Sequence, residues 1–375
     1  MTSTARRTPT AQDVYDALDA IAPFAAAAEW DNVGLLAGEP DWPAPRVLLT
    51  IDLTDAVADE ALRDGWPALL AYHPPIFKGV RSIGPRSESP TRLLASLLAA
   101  RVAILSTHTA LDAAVGGTND VLLDLFEVSR RFPLEPLIAQ SRDYKLVTFV
   151  PAAQVEKVRA ALSAAGAGVI GHYSQCSFET PGFGTFRGDE TTNPAVGQRE
   201  HLERAAETRI EIIVPQRVLG PAVRALCASH PYEEPAFDVY PLVSPAGRGE
   251  VGMGRVGTLA ARTDGRALLA RLSGAVELDN ARVIGSVNRE FESVTAAAGA
   301  FGAKAFRDPR SLVLTGELKH HDALDLLRRG VTAVCLGHDA SERPALRRLA
   351  QRLAQRLPGI EAALAKDDRS PFQRL

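Results

Sequence analysis

Imidazoles and carboxylates gather at three places in this chain, each just past a short apolar, β-rich run. The run ending at Tyr72 delivers His73 in AYHPPIF, the run 102–106 delivers His108 and Asp112 in STHTALDAA, and the run 331–336 delivers His338, Asp339 and Glu342 in LGHDASE. In open parallel α/β sheets the ligand crevice lies beyond the carboxyl ends of the strands, so three such placements point to one shared site. His338 and Glu342 are separated by one helical turn at the start of a helix, a spacing that puts both on one face within reach of one ion. Imidazole mixed with carboxylate suits Zn, Mn, Fe, Ni or Co better than Ca or Mg. Such ions activate water, and carboxylates can bridge a pair of them, so hydrolytic chemistry is the natural use. Each residue also has an ordinary structural use. Asp112 could cap a helix beginning near Gly117, and Glu342 could offset a helix dipole in the first turn. The common sheet edge raises the set above those uses.

The elements that must position these groups divide the chain into three parts. In residues 1–140, a helix over 11–21 with Thr10 as N-cap precedes alternating strands (46–53, 68–72, 102–106) and helices (54–64, 91–100), which predicts βαβ units and a largely parallel sheet. Residues 141–243 change character: a strand over 144–150, an alanine-rich helix over 154–165, a stretch rich in Gly and aromatics (GHYSQCSFETPGFGTFRG), a strand over 208–215, a helix over 218–229 and a strand over 237–242. Turn-prone residues flank this α+β unit, so it is read as an insertion into the first domain. Residues 244–375 return to alternation, with strands at 311–314 and 331–336, a helix over 322–329 and a long basic amphipathic helix over 341–357. The arginines of that last helix are read as a solvated face.

Composition limits the remaining possibilities. With 375 residues the chain exceeds one ordinary core, and its 46% hydrophobic and 23% charged residues are those of a folded protein. A net charge of −3 argues against a basic nucleic-acid face, and no apolar run is long enough to span a bilayer. The three cysteines form no CxxC pair, Cys227 and Cys335 read as small buried hydrophobes, and no secretory signal opens the chain. These features place it by default in the reducing cytoplasm. The lack of GxGxxG after a strand, of a P-loop and of GxSxG removes nucleotide-cofactor and serine-hydrolase readings.

Further polar residues have two readings each. Glu29, Asp31 and Asn32 could hydrogen-bond a substrate, or form a turn around a buried Trp30. Glu317 and His321 flank a strand-to-helix turn and could act as general acid or base, with helix capping an equal use for Glu317. His230 lies beside carboxylates in HPYEEPAF and reads as stabilising a turn or an interface.

Several motifs together resemble one family. EWDNVGLLAG (29–38), YHPPIF (72–77), HTALDAAVGGTND (108–120), TGELKHHDA (315–323) and GHDASE (337–342) are similar to those of the GTP cyclohydrolase 1 type 2 homologues, the NGG1-interacting factor 3-like or dinuclear metal centre family. GHYSQCSF, GFGTFRGDETTNPAVGQ and HPYEEPAFDVYPL resemble the insert of its long members, and the likeness runs from about Ala11 to the terminal SPFQRL. The resemblance implies a three-layer core of two α/β halves with an inserted ferredoxin-like, PII/CutA-like α+β domain, assembled as a toroidal homohexamer. It implies a dinuclear centre of divalent ions in each subunit, held by His73, Asp112, His338 and Glu342, with His108 and His321 in or near the pocket, where either could move protons. The insert would cover the openings of the ring.

Two departures from the family pattern stand out. Tyr72 replaces the first of a frequent His pair, so Tyr72 ligates weakly, His108 substitutes, or only one ion is held tightly. AAAGAFG (296–302) replaces a Gly-rich turn, which removes the basis for expecting a backbone-amide anion cradle there. Two functions follow. One is a metal-dependent hydrolase, cyclohydrolase- or amidohydrolase-like, acting on a small molecule through metal-activated water. The other is a non-enzymatic metal-binding scaffold, a store, chaperone or regulatory partner; an enzyme must keep a coordination position open, whereas a storage site can close its shell.

Overall fold

The computed structural model describes residues 7–80, 82–84, 90–170, 173–245 and 250–372. Gly171 and His172 of GHYSQCSF, residues 246–249 of the turn-prone flank and the last three residues of SPFQRL lie outside the described residues. The chain divides into two compact units: Ile138–Ser244, and the segments on either side of it, which end at Leu137 and resume at Pro245. The expected boundaries at 140/141 and 243/244 shift to 137/138 and 244/245, and the two outer thirds form a single unit.

The outer unit contains two main sheets. The first has five strands in the order Gly34–Ala37, Ala103–Ser106, Ala68–Ala71, Arg46–Thr50, Glu361–Leu364. Its first pair is antiparallel and the other three pairs are parallel. The inner strands ALLA and AILS are buried at every position, as strands covered on both faces should be. On one face Leu49, Leu70, Tyr72 and Leu105 pack with the helices Ala11–Ile21 and His338–Arg356; on the other, Leu48, Leu69 and Ile104 pack with Asp55–Arg63 and Thr91–Ala99. Capping sets the starts of two of these helices. Thr10 and Asp13 form a capping box, and Thr54 Oγ1 accepts the Val57 N–H.

The second sheet has six strands in the order Arg282–Ile284, Thr332–Cys335, Ser311–Glu317, Glu290–Ala300, Arg255–Asp264, Val128–Phe132. Only the two pairs joining Thr332–Cys335, Ser311–Glu317 and Glu290–Ala300 are parallel. One face packs on the helices Thr118–Leu123 and Gly265–Leu272, the other on Phe306, Ala303 and Leu326 of His320–Arg328. The helix His338–Arg356 supplies Leu346, Leu349 and Leu353 to the first core, while its Ala340 packs against the second. A helix predicted to start at Ser341 therefore starts at His338, and the one predicted from Asp322 starts at His320.

The inserted unit runs strand, helix, strand, strand, helix, strand. Its sheet has the order Phe237–Pro245, Ile138–Pro151, Glu203–Pro215, Ser177–Phe186. Leu146, Ile210, Ile212 and Val214 form its core with Val158 and Leu162 of Val155–Ala164 and Leu226 of Leu219–Ser229. The Gly- and aromatic-rich stretch contains the edge strand Ser177–Phe186, which has no apolar alternation because nearly all of it faces outward. Cys227, expected to be buried, is exposed on its helix; Cys335 is buried as expected. No described helix is long and apolar enough to cross a membrane.

Candidate metal centre

The three strand ends converge. His73 follows Ala68–Ala71, His338 opens its helix after Thr332–Cys335, and Glu342 lies one turn further along that helix, 2% exposed. Ligand atoms of His73, His338 and Glu342 all lie within 4.8 Å of one another, a set that can hold a metal ion. His73 Nε2 is 3.1 Å from Glu342 Oε2, and His338 Nε2 is 3.4 Å from Glu342 Oε1.

Each imidazole is turned by a carboxylate on its other nitrogen. His73 Nδ1 lies 2.9 Å from Asp52 Oδ1, and His338 Nδ1 lies 3.1 Å from Glu317 Oε1. A proton held on Nδ1 by such a carboxylate leaves Nε2 as the lone-pair donor, the arrangement found behind metal-ligating histidines. His73 Nε2 and Glu342 Oε2 are buried and lack a hydrogen-bonding alignment, although they are 3.1 Å apart. Two lone-pair donors brought this close in a dry place repel unless a cation or a shared proton lies between them. The donor set therefore fits a cation, a proton shared between the two groups or a divalent ion in its place.

The electrostatics agree. Burial works against the His73 imidazolium, but Asp52 and Glu342 outweigh it and raise the pKa to about 10. Glu342 raises His338 to about 9 against burial. Burial pushes the Glu342 carboxyl up, yet His338 and His73 hold it below its ordinary value. The pocket thus attracts positive charge between its two imidazoles.

Asp112 and His108 come from the short helix His108–Ala113. Both line a cavity of about 460 Å³ together with His73, His338, Glu342 and Gly299. Asp112 is not one of the three clustered ligands; it accepts a hydrogen bond from the fully buried Tyr72 hydroxyl. Burial and the Glu342 charge raise the Asp112 pKa to about 6. Since Asp112 lies inside its helix, it does not cap the next one, which begins at Thr118 after Gly117.

His108 has a backbone φ of +23°, a setting L residues rarely adopt. Its Nδ1 lies 2.8 Å from Asp31 Oδ1, whose side chain is wholly buried and also accepts from the Thr109 backbone and hydroxyl. Burial pushes Asp31 up, but His108 and Thr109 keep its pKa low. Trp30, read as buried in the turn alternative, is 61% exposed, with its ring 5.9 Å from His108 and 5.7 Å from Phe77.

His321 does not join this constellation. It is exposed near the start of His320–Arg328, beside His320, and does not line the cavity. The segment 296–302 offers no amide cradle at its centre, because the Ala298 and Gly299 N–H groups donate to Asn119 Oδ1 and Ser341 Oγ. Gly299 instead provides room. At φ +66°, a Cβ there would stand 2.5 Å from Glu342 Oε1 and 3.4 Å from His338 Nε2.

Sequence reasoning missed Asp52 and Gly299. Asp52 follows the strand Arg46–Thr50 at the same sheet edge as the other polar groups, which was an available signal. Gly299 left no signal, because only the fold brings its Cα against Glu342.

Helix-covered sheets carrying histidine and carboxylate at their strand ends, with a separate α+β insert, define an α/β protein with a candidate metal centre. The chain belongs to the DUF34/NIF3 (NGG1p interacting factor 3) family, which it matches over residues 9–371. It is 36% identical to the GTP cyclohydrolase 1 type 2 homolog of Halalkalibacterium halodurans, over 88% of this chain and 89% of that one. The homolog of the same name in Bacillus subtilis is 33% identical over 96% and 97%. Among solved structures, a Bacillus cereus protein related to NIF3 aligns with TM-score 0.68 and 29% identity, covering 99% of this chain and 100% of the other. Staphylococcus aureus protein SA1388 aligns with TM-score 0.78 at 24% identity over 99% and 100%, which speaks to the fold.

Proposed function

We propose that this chain is a metal-dependent hydrolase acting on a small molecule, with a divalent ion held by His73, His338 and Glu342. The observation that carries the reading is the pair of buried donors, His73 Nε2 and Glu342 Oε2, that face each other without a hydrogen-bonding alignment. Such an ion, when bound, supplies Lewis-acid activation of water. Asp52 and Glu317 hold the two imidazoles in the tautomer that ligates. Asp31 does the same for His108, so that its Nε2 can take or return a proton in the cavity. Exposed Trp30 and Phe77 at the rim give a planar substrate two aromatic faces. Asp112 adds negative charge to the cavity wall.

The name shared by the relatives directs the first substrate trials to GTP, then to cyclic amides and phosphoesters. The insert, with its strand–helix–strand–strand–helix–strand order, is read as ferredoxin-like. The assembly is read as the homohexamer that the family resemblance implies.

The test measures metal per chain after purification without chelator, and turnover across that panel, in the parent protein and in His338→Ala. Turnover that falls in proportion to bound metal supports the hydrolase. Turnover that survives complete metal removal overturns it. Stoichiometric metal with no turnover on any substrate favours a non-enzymatic metal-binding scaffold.

A further inference from the structure

Tyr72 is wholly buried, and its hydroxyl contacts two groups. It donates its single proton to Asp112 Oδ1 and lies 2.9 Å from Thr118 Oγ1. A phenol has one proton, so Thr118 must donate to Tyr72, and the three side chains form a directed chain from Thr118 through Tyr72 to Asp112. The neutral phenol oxygen at the centre of this chain is a weak metal donor, and one Asp112 oxygen is already occupied. Among the described residues, His73, His338 and Glu342 form the one group of three or more potential ligands close enough to share an ion.

We infer that each chain holds a single tight divalent ion, and that the Tyr72 hydroxyl, bonded to Asp112 and a poor donor itself, closes the position beside it to a second. The inference rests on the metal reading above and deepens it by setting stoichiometry. A second ion next to Asp112 would need a neutral nitrogen or an anionic oxygen in place of the Tyr72 hydroxyl, and it would have to break the Thr118–Tyr72–Asp112 chain. His108 does not replace Tyr72 in this role, because it lies outside the cluster that His73, His338 and Glu342 form. Asp112 is then a positioned acceptor at the cavity wall rather than a principal ligand.

The experiment loads the full-length protein with Mn(II), removes loose ion by dialysis, and reads metal per chain by mass spectrometry and Mn(II) coupling by electron paramagnetic resonance. The parent protein is expected to retain one ion per chain with the signal of an isolated Mn(II). Tyr72→His, which supplies a nitrogen at the same place, is expected to retain two ions with an exchange-coupled signal. Tyr72→Phe, which frees Asp112 but adds no donor, is expected to stay at one. Two coupled ions in the parent protein overturn this inference and leave the metal reading standing. No retained ion in the parent overturns the metal reading itself. A folded Tyr72→His protein that still retains one ion overturns the role given to Tyr72. If that variant does not fold, the parent spectrum and the Tyr72→Phe stoichiometry decide the matter.

Discussion

Arg255 and Asp120 form a salt bridge, Nε to Oδ2 at 3.1 Å, with each side chain only 2% exposed. The guanidinium also donates to the carbonyls of Ala113, Ala114, Gly252 and Gly254. It thus fastens the end of the helix that carries His108 and Asp112 to the strand Arg255–Asp264. Four carbonyls and a carboxylate satisfy all the directions of a group that is costly to bury alone.

Arg255→Leu is expected to destabilise the protein by about 3–5 kcal/mol, because it leaves a buried carboxylate and four carbonyls under-satisfied. Arg131, 3.1 Å from Asp120 Oδ1, keeps part of the compensation and argues for the lower end of that range. Urea unfolding followed by tryptophan fluorescence measures the loss. An unchanged midpoint would show that the network contributes nothing.

Glu317→Gln and Asp52→Asn remove the carboxylates behind His338 and His73. Metal affinity is expected to fall by roughly 10–100-fold in each, with little change in global stability because both carboxylates are solvent-accessible. Competition titration against a chromophoric chelator provides the measurement. Parent-like affinity in both variants would mean that other groups orient the imidazoles.

Metal uptake should release protons. Without an ion, His73 and His338 have pKa values of about 10 and about 9, so both are protonated at neutral pH and must lose a proton to ligate. Calorimetry in buffers of different ionisation enthalpy should show about two protons released per ion near pH 7, falling toward none above pH 10. Release independent of pH would exclude these imidazoles as ligands.

The same shifts set how stability varies with pH in chelated protein. Both folded-state values lie above the ordinary histidine value of about 6.5. Their contribution is therefore full below that pH and is lost as pH rises through about 9 and 10. A lower urea midpoint at pH 10 than at pH 7 is expected in the presence of chelator, with the gap narrowed when metal is added. A midpoint that rises over this range would contradict the assignment.

Gly299→Ala should weaken metal binding by about tenfold or more, because a Cβ would press on the Glu342 carboxylate at a backbone setting that favours glycine. Gly302→Ala serves as the control, since a Cβ there meets nothing within 4 Å and its φ is ordinary. Equal affinities in the two variants would show that Glu342 moves aside freely.

The sequence by itself determined the helices and strands whose signals are local. The Thr10 cap, the uninterrupted apolar runs of the inner parallel strands and the His338–Glu342 spacing each depend on a few neighbouring residues, and each was readable. The strand-end rule then made His73, His108, Asp112, His338 and Glu342 a plausible set. The contribution of Val128–Phe132 and Glu361–Leu364 to separate sheets was not readable, because both are edge strands whose exposed residues show no apolar alternation. Asp52, Asp31 and Gly299 gained their roles only through contacts between residues far apart in sequence. The tertiary structure also separated His321 from the cavity that His108 lines, although both histidines follow a strand. Spacing can bring a side chain to a sheet edge, but its direction there depends on packing between distant segments. That is why the candidate donors were partly legible, while the contacts that turn their imidazoles were not.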